Sequence, residues 1–271
     1  MESYKKLHID DFNNFRKENK TYNDGVLELQ LTSWGEFHDV VRIFGSSKDY
    51  IWRGQNKIAK LESSFDRKFT QRIDRQKELN KIFNNLKQRL EDLQKTGPLT
   101  DNEIWAIGQH YGLLTPLLDW TESPYIASYF AFYERGNGQE NRVVYALNRA
   151  LKLLMKGADR FVDFDLFNNN FDHRQNQRLR NQKGKFTKAL EGEDIKSVVE
   201  KFWKETRKKN KYLNEIIFAE IRIPDKFQDE CLRSLESMNI THGVLFPDYA
   251  GAVDICKIDL VNNKIISPRA I

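Results

Sequence analysis

Cysteine is scarce in this sequence: only Cys231 and Cys256 occur in 271 residues, far apart and without a CxxC pair. That argues against a disulfide framework and a thiolate zinc site, and for a reducing cytosol in which both thiols stay reduced. Glycine and proline are also few, at 14 and 6, well below the level of low-complexity or collagen-like chains. No apolar run approaches the roughly 20 residues that a membrane helix needs. The opening residues MESYKKLHIDDF lack the apolar core of a signal peptide. The expectation is a soluble, cytoplasmic protein with no membrane partner. Neither sign of charge dominates, since 44 Lys and Arg against 39 Asp and Glu leave +5. A nucleic-acid binder often concentrates such an excess into a stripe. The nearest to one here are the stretches Arg174 to Lys188 and Lys201 to Lys211, each of which also reads as a solvated helix face. Familiar catalytic signatures are missing too: there is no GxSxG, P-loop, GxGxxG or HExxH. The five histidines have no His or Cys partner at helical spacing, so no metal site is expected.

What the sequence has is bulk. Aromatics make up 12% of it and apolar residues 39%, enough to repay chain entropy by burial. Residues 1–30 read as a polar, irregular N-terminal extension. Ser33 and Glu36 then suggest a capping box opening a helix that ends near Gly45, and Tyr50 to Gly54 reads as a short strand delivering an Arg at its far end. Helical spacing predicts a long amphipathic helix over 72–95 and a second helix from Thr100 to about Tyr111. Ser123 and Pro124 place a cap and an N1 proline before an apolar helix, Tyr125 to Tyr133. Strands are expected at 142–148, 215–223, 243–246 and 255–260, and helices at 193–209 and 225–238. An irregular helical or loop insertion is expected around 156–212. The order fits an α+β fold better than alternating βαβ: a single mixed domain over 31–271, with a short-stranded antiparallel or mixed sheet around a cleft and helices around it.

Polar residues interrupt apolar elements at three places. The first is Trp52-Arg53-Gly54-Gln55. An Arg there either covers a sheet edge with its head in water or offers a planar donor fork to a phosphate, beside a Gly that lets a ligand approach the backbone. The second runs from Gln109-His110-Tyr111-Gly112 to Asp119-Trp120-Thr121-Glu122-Ser123-Pro124. Helix capping explains one of Asp119, Thr121 and Ser123, but not all three. His110 reads either as a satisfied buried histidine or as a site residue. The third runs from Arg178 to Thr187, with Gln182 and Gly184 ahead of Phe186, which either turns a corner or pins a ligand.

These blocks resemble the FRG domain family, named for an aromatic-Arg-Gly motif that stands here as Trp52-Arg53-Gly54. The resemblance continues through Gln109 to Leu113, Leu117 to Thr121, Ser123-Pro124 and Ala127, Phe130 and Ala131. It extends to Arg180 to Gln182 and to Gly243 with Leu245 to Asp248. Two positions depart from the family pattern: Leu114 stands where Pro is usual, and Pro116 where Arg is usual. FRG domains are in turn similar to the ADP-ribosyltransferase superfamily, which implies NAD as substrate and a transferase or NAD-cleaving activity, as in a toxin or defence effector. That resemblance implies catalytic roles for Arg53, Asp119, Thr121 and Asp248. It implies contacts to NAD from Gly54, Gln55, His110, Tyr111, Ser123 and Gln182, with a protein or nucleic-acid acceptor that it leaves open. Two other readings stay open, a non-catalytic nucleotide or nucleic-acid binding module and an RNA-directed nuclease-like toxin.

Overall fold

The computed structural model describes residues 6–45, 49–69, 74–93, 98–136, 140–149, 161–164, 177–189, 192–207 and 215–262. One mixed sheet of eight strands organises them, in the order β1-β2-β8-β5-β3-β4-β7-β6. The strands are β1 (Lys20–Asn23), β2 (Val26–Gln30), β3 (Tyr50–Gln55), β4 (Leu118–Thr121), β5 (Asn141–Asn148), β6 (Phe161–Phe164), β7 (Gly184–Ala189) and β8 (Phe218–Pro224). Only β2 and β8 run parallel; the other neighbours are antiparallel.

Alternation along the strands separates two cores. Trp52, Val144, Ala146, Ala219 and Ile221 face one side, where they pack with α1 (Trp34–Phe44), α5 (Pro124–Phe132) and α8 (Gln228–Ser237). Ile51, Val143, Tyr145, Leu147 and Phe218 face the other, against α7 (Ile195–Arg207). Successive side chains of a strand point to opposite faces, so a strand covered on both sides reads as continuously apolar, as Val143 to Leu147 does. A third, smaller cluster joins α3 (Arg75–Leu93) and α4 (Asp101–His110) to Leu117 and Phe186.

The capping signals are realised locally. Ser33 accepts from the Glu36 amide at 3.2 Å, although Glu36 closes back on the Thr32 amide and hydroxyl rather than on Ser33. Thr100 and Glu103 form the full box at the start of α4. Ser123 caps α5 by accepting from Ile126, with Pro124 in the first turn. The sheet is held against α5 by a backbone-to-backbone contact: a Cβ on Gly54 would stand 1.8 Å from the Ala127 carbonyl oxygen. Glycine at 54 and the fully buried alanines 127 and 131 are therefore one packing feature. The side of Gly54 on which a Cβ would project is filled by that helix.

Four expectations change. Residues 20–30, read as part of a polar, irregular extension, form β1 and β2, and Leu7, Phe12, Leu27 and Leu29 are buried. Partner strand β8 supplied the order that local composition lacked. Within the segment read as an insertion, β7 zips along all of β4 and buries Gly184 to Thr187. Residues 150–160, 165–176, 190–191 and 208–214 of that region, including parts of both basic stretches, lie outside the described residues. The strands expected at 243–246 and 255–260 are helices, α9 (His242–Leu245) and α10 (Tyr249–Asn262). Thr241 caps the first by accepting from Val244, and Asp248 caps the second by accepting from Gly251. Local capping outweighed a short alternating pattern that has no strand to pair with. Cys256, expected inside a strand, is consequently exposed on α10, whereas Cys231 is buried in α8; both are free thiols. Among the described residues, no helix is long and apolar enough to cross a membrane.

Candidate functional site

Strand β3 treats its two neighbours differently. It pairs with β5 at six positions, from Tyr50↔Asn148 to Gln55↔Val143, but with β4 only at Trp52↔Thr121. Beyond that pair the strands part. The opening leads into a cleft of about 530 Å³, within the range typical of small-molecule sites. Arg53 bridges the parted strands, its Nη1 donating to the Asp119 carbonyl at 2.7 Å.

The Asp119 carboxylate is oriented by a relay. The fully buried Thr115 donates its hydroxyl to Gln109 Oε1. This turns the Gln109 amide nitrogen toward Asp119, whose Oδ1 it meets at 2.5 Å. The carboxylate is open to the cleft yet walled by protein. Desolvation raises its pKa above the ordinary carboxylate value, opposed by the Arg53 charge and the Gln109 hydrogen bond. Burial likewise lowers the pKa of Arg53, opposed by Asp119. Arg53 Nε and Gln55 Oε1 are buried without a hydrogen-bond partner, and both residues line the cleft. Orphaned polar atoms normally cost stability unless something answers them.

His110 lines the cleft at the last turn of α4. Desolvation lowers its pKa and the Arg178 charge lowers it further, against a raising effect from Asp248. Gly112 ends that helix with φ of 86° and nothing within 4 Å of a would-be Cβ. Backbone conformation, rather than crowding, is what calls for glycine there.

The cleft brings together Arg53, Gly54, Gln55, His110, Asp119, Thr121 and Gln182. Several are already engaged. The Thr121 hydroxyl donates to the Gln182 carbonyl at 2.7 Å and accepts from the Ser123 amide at 3.1 Å. Gln182 Nε2 reaches the Leu245 carbonyl at 3.1 Å, tying α9 to the floor. Three predicted site residues stand elsewhere. Ser123 is spent on the α5 cap. Tyr111 is 79% exposed beyond the helix end. Asp248 is an exposed cap of α10, outside the cleft lining, and reaches the site only through its charge on His110.

Half of the cationic wall carries no sequence signal. Lys57, Lys60, Arg67, Arg178 and Lys185 line the cleft with Arg53, against the carboxylates of Asp119 and Glu134. Glu134 accepts from Asn56 at 2.9 Å and from the Tyr133 hydroxyl at 2.8 Å. Lys57, Lys60 and Arg67 lie outside every stretch singled out in the sequence, whereas Arg178 and Lys185 fall within the basic stretch Arg174 to Lys188. No group of His, Cys, Asp and Glu suited to a metal ion occurs among the described residues.

Residues 48–140 match the family model of the FRG domain. The chain carries an FRG domain. That match contains β3, α4, β4 and α5, and with them Arg53, Gln109, His110, Asp119 and Thr121. The opposite wall, Arg178 to Phe186, and the turn around Asp248 lie outside it. No curated protein and no solved structure matches the chain.

Proposed function

We propose that the FRG cleft binds NAD and cleaves the bond between its nicotinamide and ribose, in the manner of an ADP-ribosyltransferase-like enzyme. The observation that carries this reading is the floor of the cleft, where the Arg53 fork lies beside the Asp119 carboxylate at the point where β3 and β4 part. A guanidinium lining the cleft suits a pyrophosphate oxygen. A carboxylate fixed by Gln109 suits the positive charge that develops on the ribose as the bond breaks. In that step nicotinamide leaves with the bonding electron pair, becoming neutral. An acceptor oxygen or nitrogen, water in the simplest case, forms the new bond to the ribose carbon, and its proton passes to Asp119 or to solvent. The catalysis asked of the protein is positioning and preorganised charge. Asp119 rather than Asp248 takes that part, because it lines the cleft and Asp248 does not.

Calorimetry with NAD and mass spectrometry for released nicotinamide test the reading. Arg53→Ala removes a charge-assisted contact of about 1.5–3 kcal/mol and weakens NAD binding roughly 10- to 100-fold. Asp119→Asn spares binding and lowers turnover on the order of 100-fold. In the wild type, turnover falls on the acid side at a pH above the ordinary carboxylate value, because protonating Asp119 removes the charge that the step needs. Absence of NAD binding to the wild type, or unchanged turnover in Asp119→Asn, overturns the reading.

A further inference from the structure

The cleft mouth carries more positive charge than one dinucleotide uses. Six cationic side chains line the cleft against two carboxylates. Lys60 and Lys185 are each 3.4 Å from a carboxylate, on Glu62 and Glu122, and Arg53 faces Asp119. Lys57, Arg67 and Arg178 have no carboxylate partner among the described residues: Arg67 donates to the Glu62 main-chain carbonyl, and Arg178 lies 4.4 Å over the Phe246 ring. They come from the loop after β3, from α2 (Ser64–Lys68) and from α6 (Gln177–Asn181), three separate elements lining the cleft, and the Arg67 and Arg178 charges reach Arg53 and Asp119 respectively. Arg180 and Lys183, exposed beside Arg178, add to the same side. Tyr111, 79% exposed, stands edge-on to His110 with ring centroids 4.9 Å apart. A large aromatic at that exposure has no packing role in the fold.

We infer that the mouth of the cleft binds a single-stranded nucleic acid, its phosphates along Lys57, Arg67 and Arg178 and a base stacked on Tyr111. Distributed cations with an exposed aromatic platform are the chemistry that holds a single strand with little sequence preference. An acidic peptide would use the charges and leave the tyrosine unexplained. A duplex, with its bases stacked inside, offers Tyr111 no free face. The inference rests on the NAD reading only in reserving the cleft floor for the dinucleotide.

The test is fluorescence anisotropy with an end-labelled oligonucleotide, as DNA and as RNA, over stepped salt concentrations. Three phosphate contacts predict a slope of log affinity on log salt near about −2, since each single-strand contact contributes about −0.7. Lys57→Ala and Arg178→Ala each flatten the slope by about 0.7, Tyr111→Ala weakens binding at unchanged slope, and Arg42→Ala on α1 changes nothing. Binding of either nucleic acid with these shifts supports the inference, and the stronger of the two identifies the sugar preferred. It is overturned if neither binds at low salt, if the variants leave the slope unaltered, or if poly-glutamate of matched charge competes equally well. Oligonucleotide failure with NAD binding intact overturns this inference alone. Oligonucleotide binding without NAD binding overturns the NAD reading alone.

Discussion

The two long sides of β3 are built from the same six residues and do opposite things. Toward β5 the strand is zipped at every position, and its flanking side chains are among the most deeply buried in the molecule, with Tyr50, Ile51 and Trp52 at 0–1% exposure. Toward β4 one pair holds, and the remaining gap is bridged by the Arg53 side chain on the Asp119 carbonyl. A sheet that opens at one point exposes backbone and polar side chains that a continuous sheet conceals. The energetic cost has to be met elsewhere, and here it is met by the apolar clusters on both faces of the zipped side. The site is thus a local fault in a sheet whose other strands are well paired.

Breaking the zipped side has the largest expected effect. Arg142, on β5, is 4% exposed, and its partner Asp225 2%. The same guanidinium donates to the carbonyls of Ala131 and Glu134 at 3.2 and 3.0 Å, so it joins β5 to the end of α5. Removing it by Arg142→Ala leaves the Asp225 carboxylate without its buried counter-charge. The expected loss is about 3–5 kcal/mol of stability, read by urea denaturation. A loss below about 1 kcal/mol would show that the scaffold is less dependent on this junction than its burial implies.

Gly54 sits where the two behaviours meet. Gly54→Ala drives a methyl into the Ala127 carbonyl, a backbone atom that can move only if α5 moves with it. The expected cost is about 3 kcal/mol, with loss of NAD binding because α5 forms the wall next to Arg53. A control sharpens this: in Gly35→Ala the added methyl meets only Ser33 Oγ at 3.7 Å, and an alanine inside α1 is neutral or slightly stabilising. Equal effects from the two substitutions would remove the close-packing explanation.

How much of this was legible in the sequence depended on whether the signal was local. Caps at Ser33, Thr100 and Ser123, the apolar α5 and the strands β3, β5 and β8 follow from residues within a few positions of one another. The convergence of Arg53, His110, Asp119 and Thr121 was suggested by polar residues inside apolar elements, and these four do line one cleft. Strands β1, β2 and β7 were not legible, because their order comes from partners far along the chain. Lys57, Lys60 and Arg67 of the cationic wall were hidden for the same reason. The C-terminal strands misled because alternation over four to six residues is weak evidence when a Thr or Asp nearby can cap a helix instead.

Asp248 separates resemblance from geometry, and it has the smallest expected effect. Its position after Leu245-Phe246-Pro247 made it the candidate acid of a transferase, but its carboxylate accepts from the Gly251 amide at 2.8 Å as an exposed cap of α10. A capping side chain contributes about 1 kcal/mol to its helix, and α10 makes few contacts beyond α9, so little of that is transmitted to the core. Asp248→Ala is therefore expected to lower stability by no more than about 1 kcal/mol. His110 loses a nearby negative charge in this variant, so its already lowered pKa moves further down. At neutral pH the ring is uncharged in either case, and NAD turnover stays within about two-fold of wild type. Circular dichroism at 222 nm with a thermal melt reads the cap, and nicotinamide release reads the chemistry. A fall in turnover on the order of 100-fold with the melt unchanged would return the catalytic acid to Asp248 and leave Asp119 as the group that merely orients Arg53.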